Sequence, residues 1–313
     1  VTVQGTGGIG TGPGNYGIMV FASTSKITSA GGNVDVIGQG GGLGSSLGNY
    51  GIIINAGTVS AGGAGTVTVR GTGGSATGII NSGIILFNVG ATITSSGGNI
   101  SVTGIEGGGA SGTGIVNQSS ATITTAANGG NIILIANSMS NTADISTNAA
   151  GSVTLRPYTN NVQVDLGAAS DPIGGPLGLS DAELDLVSTG TLIIGNANSG
   201  DITVSAAITR PANTAVQLIS AGDITLNQGI NTAGGDLLLD CGTSPKAVRP
   251  TFNGTDATVG TLSFGSDLSI VINGTTLGNG SGSTYTQLKV VGSVNLTGVA
   301  LQLSGSHVPV IGQ

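Results

Sequence analysis

"VTVRGTGGSATGIINSGIILFNVGATITSSGGN", residues 67–99, is one unit of a pattern that decides the fold. It holds three short apolar or β-branched runs: Val67-Thr68-Val69, then "GIILF" at 83–87, then a run centred on Ile93. Gly-rich segments join them. Working outward, the first run recurs as Val34-Asp35-Val36 and Val1-Thr2-Val3 before it and as Ile100-Ser101-Val102 after it, and a further unit opens at Ile132. The steps are 33, 33, 33 and 32 residues. The second run recurs as "GIMVF", "GIIIN" and "GIVNQ", and the third centres on Ile27, Val59 and Ile123. Three strands per unit at a nearly constant period predict an all-β parallel β-helix, a β-solenoid with three strands per coil and like strands stacked.

The corners repeat as well. "GNYGI" stands at 14–18 and again at 48–52. It marks the corner before the second strand, where Gly and Asn are expected to supply positive φ. Asn33, Thr66, Asn99 and Asn131 mark the corner before the first strand, where stacked side chains would form a hydrogen-bonded ladder. From 132 the coils shorten, and "GDIT" at 200–203 and 222–225 puts Asp where Asn stood. An interruption, "GAASDPIGGPLGLSDAELDL" at 167–186, carries Ser180 and Glu183 at capping-box spacing, which predicts one helical turn. The expected organisation is therefore long-coil repeats over 1–131, a shorter-coil β-helix over 132–244 with an inserted loop near 167–182, and a carboxy-terminal β repeat over 245–313 that continues the solenoid.

Composition agrees and excludes several classes. Gly accounts for 60 of 313 residues, while charged residues make up 7% and aromatic residues 3%, with no Trp, so long helices and aromatic sugar platforms are disfavoured. Lys26, Arg70, Asp35 and Glu106 cancel within the first 143 residues, so the net charge of −7 lies beyond them. No basic patch exists to meet nucleic acid or an anionic membrane surface. No apolar run approaches the ~20 residues of a membrane span, so direct membrane insertion is not expected. Cys241 is alone, which leaves no disulfide framework or zinc cluster and makes it a small buried residue. The chain opens within a strand pattern, "VTVQG", and reads as a piece of something longer.

Two longer stretches carry a resemblance. "GSVTLRPYTNNVQVDLG", "LGLSDAELDLVSTGTLIIGNANSGDITVSAAIT" and "LISAGDITLNQGI", within residues 151–235, resemble the repeats of filamentous-haemagglutinin-like bacterial surface proteins. "VGTLSFGSDLSIVINGTTLG" and "YTQLKVVGSVNLTGVALQLSG" are similar to the autotransporter-associated strand repeats of very large exported bacterial proteins. Residues 1–150 share only the Gly-rich style. The resemblance implies a right-handed β-helix, export to the cell surface or beyond it, and a role in adhesion or extracellular filaments.

The residues for catalysis are sparse. His307 is the only His, and no G-x-S-x-G elbow flanks a strand. Asp201, Asp223, Asp236 and Asp240 form the best carboxylate set, but three of them follow Gly at a strand start and read as corner residues. The Gly-rich runs lack a following helix or Lys, so they are not phosphate loops. No catalytic, cofactor or metal residue is assigned, and the chain is not expected to be an enzyme.

Two surface rows remain. Thr28, Thr58, Ser60, Thr92, Thr94, Thr122 and Thr124 flank the inward residue of the third strand and make a hydroxyl face. If Ile18 and Val20 face inward, Met19, Phe21, Ile53, Ile85, Phe87 and Val116 form an outer apolar stripe that needs a cover, either another subunit or the loop near 167–182. The sequence thus reads as a stiff extracellular or cell-surface rod that associates with itself and with host or matrix glycans or proteins. The alternatives are a carbohydrate-binding or polysaccharide-cleaving β-helix, and an ice-binding hydroxyl face.

Overall fold

The computed structural model describes residues 1–242 apart from 119, 127–128, 169, 173 and 212, together with 247–248, 251–252, 256–265, 267–271 and 289–304. The chain winds as a parallel β-helix. Sheet 1 stacks, in chain order, Thr2–Thr6, Val34–Gln39, Val67–Thr72, Ile100–Ile105, Ile132–Ile135, Ser152–Arg156, Thr191–Gly195, Ala215–Ser220, Leu237–Cys241 and Asp256–Phe264. Sheet 2 stacks Ile18–Phe21, Ile52–Asn55, Ile84–Phe87, Ile115–Asn117 and Met139–Asn141. Sheet 3 stacks Lys26–Ser29, Thr58–Ala61, Thr92–Ser95, Thr122–Thr125, Asp144–Ser146 and Val187–Ser188. Every ladder between these strands is parallel, as coils wound in one direction require.

The register follows the apolar repeat. Val34, Val67, Ile100, Ile132, Val153, Leu192, Val216, Leu237 and Leu262 form one inward row of sheet 1. Val36, Val69, Val102, Leu134, Leu155, Ile194, Leu218, Leu239 and Phe264 form the second. All of these residues are buried. A slip of one residue would turn both rows to solvent, so the alternation itself holds the register. The same residue numbers show the coil shortening between Ile132 and Val153 and lengthening to Leu192, where the interruption lies.

Sheets 1 and 2 meet on two facing columns of glycine. A Cβ on Gly38, Gly71 or Gly104 would lie 2.2, 2.3 or 2.0 Å from the carbonyl oxygen of Gly51, Gly83 or Gly114. The backbone of the second corner passes directly over the end of the first strand. This contact explains the invariant "G-I" that opens the second strand in every long coil.

After Arg156 the cross-section changes. Sheet 2 ends at Met139–Asn141, and sheet 4 begins with Val164–Leu166 and continues as Ile202–Val204, Ile224–Leu226 and Thr251–Phe252. Sheet 1 runs through this seam without a break. The interruption contributes a strand, Leu177–Leu179, and a one-turn helix α1, Asp181–Asp185, with the reciprocal Ser180–Glu183 capping box that its sequence predicts. Leu177–Leu179 pairs with Val164–Leu166 on the side away from Ile202–Val204, so it lies out of chain order, toward Met139–Asn141. The insertion therefore doubles back and fills the step between sheets 2 and 4.

Candidate interaction surfaces and the seam

The second corner holds a buried ladder that the sequence reading did not assign. Asn15 Nδ2 donates to Asn49 Oδ1 at 2.9 Å, and Asn49 Nδ2 donates to Asn81 Oδ1 at 2.9 Å. Asn81 Nδ2 ends the ladder on the carbonyls of Ala76, Gly78 and Gly108. Asn49 and Asn81 are fully buried. Of the Gly and Asn expected to supply positive φ, the Gly does so, Gly14 at 80° and Gly48 at 64°, with Ile80 at 62° in that place in the third coil. The Asn keeps ordinary backbone and uses its side chain. Aligning "GNYGI" with "INSGI" at 80–84 would have exposed this column. Beside it the Tyr16 and Tyr50 rings stack with centroids 5.2 Å apart. Burial, then the Tyr16 hydroxyl, raises the Tyr50 pKa above its ordinary value.

The corner before sheet 1 is arranged differently. Asn33 Oδ1 accepts from the Thr66 amide, Asn99 Oδ1 from Asn131 and Asn131 Oδ1 from Ser152, at 2.9–3.0 Å. Asp201 Oδ1 accepts from the Asp223 amide at 2.8 Å and Asp236 Oδ1 from Thr261 at 2.9 Å. Each rung runs from a side chain to the backbone of the next coil. Asn and Asp serve alike because only the shared oxygen is used.

Burial corrects the outer apolar stripe at Ile53 and Ile85. Met19, Ile53, Ile85, Val116 and Ser140 are in register on sheet 2. Met19 is 48% exposed, but Ile53 and Ile85 are only 5% and 7% exposed. Burial is greatest in the middle of the row and fades toward both ends, with Val116 half-buried and Ser140 exposed. Phe21 and Phe87 do not join that row; they face Asn55 from either side, and Phe87 is half-buried. Phe21 is 55% exposed, as expected of the stripe, and further large exposed apolar residues lie in the Gly-rich loops, at Ile9, Leu43, Leu47, Ile79 and Ile80.

The hydroxyl face sits on sheet 3, where Thr58, Thr92 and Thr122 continue the Lys26 row and Ser60, Thr94 and Thr124 continue the Thr28 row. Its hydroxyls partly satisfy one another: Ser60 Oγ donates to Thr28 Oγ1 at 2.9 Å, and Thr124 and Ser146 lie 2.9 Å apart. Among the described residues no three His, Cys, Asp or Glu lie close enough to share a metal ion, and no helix is long and apolar enough to cross a membrane. Cys241 is buried. His307 lies outside the described residues.

The seam concentrates the unusual chemistry. The Met139 amide donates to Asp171 Oδ2 at 2.8 Å, and the Asn141 amide donates to Glu183 Oε1 at 3.0 Å. Asp171 Oδ1 also accepts from the Gly178 amide. Two carboxylates of the insertion thus satisfy strand-edge donors that would otherwise be stranded. The inward row of Val20, Ile54 and Leu86 turns polar as it nears them, continuing as Asn117 and Asn141. Asn117 Nδ2 donates to Asn141 Oδ1 at 2.8 Å, and Asn141 Nδ2 to the Glu183 carbonyl at 3.2 Å. On the other flank, Asp181 accepts from the amide and hydroxyl of Thr209, while the buried Arg210 guanidinium donates to the carbonyls of Leu184 and Val187.

Clefts open here, three of which matter most. One of about 60 Å³ is lined by Glu106, Asn137, Ser138 and Asp171. A second, about 200 Å³, is lined by Thr113, Met139, Ser140, Asp171 and Glu183. The third, about 290 Å³, has Asp185, Ser188, Arg210, Asn213 and Thr214 on its walls. Burial, with smaller contributions from the Glu183 and Glu106 charges, pushes the Asp171 carboxyl up to about 7 against the opposing pull of its two amide donors. Burial also raises the Glu106 carboxyl. No family model, no curated protein and no solved structure matches this chain.

Proposed function

We propose that the chain is a structural, non-enzymatic segment of a bacterial cell-surface or extracellular filament protein of the filamentous-haemagglutinin-like kind. It acts as a stiff rod that assembles with copies of itself or with further coils, and it presents its faces to host or matrix glycans or proteins. The observation that carries this reading is the unbroken stack of sheet 1, whose two apolar rows continue from Val34 and Val36 to Leu262 and Phe264. Backbone ladders along one axis resist bending and proteolysis, and they need no cofactor. The quoted haemagglutinin-like repeats support the family and the location.

The mode of assembly proposed is coil on coil along the axis, the way the strands of all three sheets already add edge to edge within the chain. The test is electron microscopy and light scattering of the chain with and without a charged capping coil fused ahead of Val1. Filaments or concentration-dependent oligomers that disappear on capping are expected; a monomer at high concentration without the cap defeats the assembly reading. A glycan panel tests the absence of catalysis. Turnover that is lost on replacing Asp201, Asp223 or Asp236 would overturn it.

A further inference from the structure

The insertion at 167–186 closes the seam through side-chain carboxyl acceptors rather than through a strand ladder. Met139–Asn141 and Leu177–Leu179 lie side by side, but the amides of Met139 and Asn141 turn to Asp171 and Glu183. These amides are two residues apart on one strand, so the two carboxylates are held within about 7 Å of each other. Glu106 brings a third carboxylate to the Asp171 cleft from the end of the fourth coil's first strand. The remaining walls are Gly112, Asn137, Ser138, Val162 and the insertion's Pro172, Gly174 and Gly175, and on the second cleft Thr113, Ser140, Ser170 and Gly178. Among the described residues no Lys, Arg or His lines either cleft. Like charges in a partly buried site disfavour full ionisation, and the amides of Met139 and Gly178 offset this only in part.

We propose that the insertion is a proton-dependent latch: it stays docked across the edge of sheet 2 while the carboxylate cluster retains a proton, and it loosens when the cluster is fully ionised. The proton resides chiefly on Asp171, whose carboxyl is pushed up to about 7. The direction is set by linkage. The undocked insertion exposes Asp171 to water and ionises it at an ordinary carboxylate pH, so raising the pH favours the undocked state. Sheet 1 does not depend on these contacts, because its ladder crosses the seam unbroken. Opening is therefore local and uncovers the Met139–Asn141 edge and the Asn117–Asn141 row.

Amide hydrogen exchange on the full chain from pH 5 to 9, normalised to the intrinsic rate at each pH, tests this. Protection at Met139, Asn141 and Gly178 should fall as pH rises through neutrality, and by clearly more than at Val67–Thr72 and Ile100–Ile105. E106Q removes a like charge without removing any amide acceptor at the seam, so it should extend docking to higher pH by letting Asp171 tolerate ionisation. It should also shift the carboxyl titration, followed by isotope-edited infrared spectroscopy, to lower pH. D171N should flatten the pH profile. Normalised protection that is constant across the range, loss of protection in all strands together, or an E106Q profile identical to the parent would each overturn the latch.

Discussion

Asn49 and Asn81 are joined by a 2.9 Å hydrogen bond from Nδ2 to Oδ1 although neither side chain touches solvent. The Asn49 amide also donates to the same Asn81 oxygen, at 3.1 Å. Asn81 therefore serves three coils at once, the preceding one through Oδ1 and its own and the next through Nδ2, which meets three carbonyls. A buried polar network satisfied in this way holds a corner as firmly as apolar packing does, and it fails as a unit when one member is removed.

Replacing Asn81 with Ala should accordingly cost about 3 kcal/mol, because it strands buried donors and acceptors in addition to deleting bonds. Urea denaturation followed by circular dichroism measures the loss. A cost below about 1 kcal/mol would show that water re-satisfies the corner and that the ladder adds little.

Val69 sits on the second inward row between Val36 and Val102 and is fully buried. Val69→Asp should destabilise the stack by at least about 3 kcal/mol through an unpaired buried charge. Thr68→Asp, one residue along on the outward face, should change stability by only about 0.5 kcal/mol. Similar melting of the two variants would contradict the register.

Ile80 occupies the left-handed region at φ 62°, where the two preceding coils place Gly14 and Gly48, and its side chain is 41% exposed. A left-handed conformation costs an L-residue about 1–2 kcal/mol. Ile80→Gly should raise stability by about 1 kcal/mol once the greater chain entropy of Gly is deducted. Ile80→Ala keeps the strain and should bring no such gain. Thermal melting of the pair separates relief of backbone strain from the loss of the side chain.

Asp171 sets a pH dependence of global stability. Its folded carboxyl titrates at about 7, above the ~3.9 of an unfolded Asp. Between these values the folded chain binds more protons than the unfolded chain. Its stabilising contribution is thus complete below about pH 4, falls as the pH rises toward 7 and levels off above that. Urea midpoints at pH 4.5, 6 and 8 should decline in that order, and Asp171→Asn should reduce the decline. A midpoint that rises over the range in the parent, with the same slope in the variant, would place the controlling group elsewhere.

What the sequence determined by itself was the coil. The alternation of Val34, Val36, Val67 and Val69 and the recurrence of the "G-I" opening are local and periodic, so strand positions, register and inward rows could be read from the spacing alone. The Ser180–Glu183 capping box was legible for the same reason, because its partners lie within one turn. Tertiary structure decided what depends on stacking and on distant partners. Ile53 and Ile85 are buried in the middle of the row that Met19 and Val116 flank, which alternation along one strand does not reveal. Asn15, Asn49 and Asn81 became a ladder only when three corners were superposed. Asp171 and Glu183 found the amides of Met139 and Asn141 across 32 and 42 residues of chain, because the insertion turned back beneath the strand before it. Periodicity specifies which residues face inward within a coil. The partner of a side chain in a loop is set by how the coils align and by where a non-repeating segment finds unpaired edges to cover.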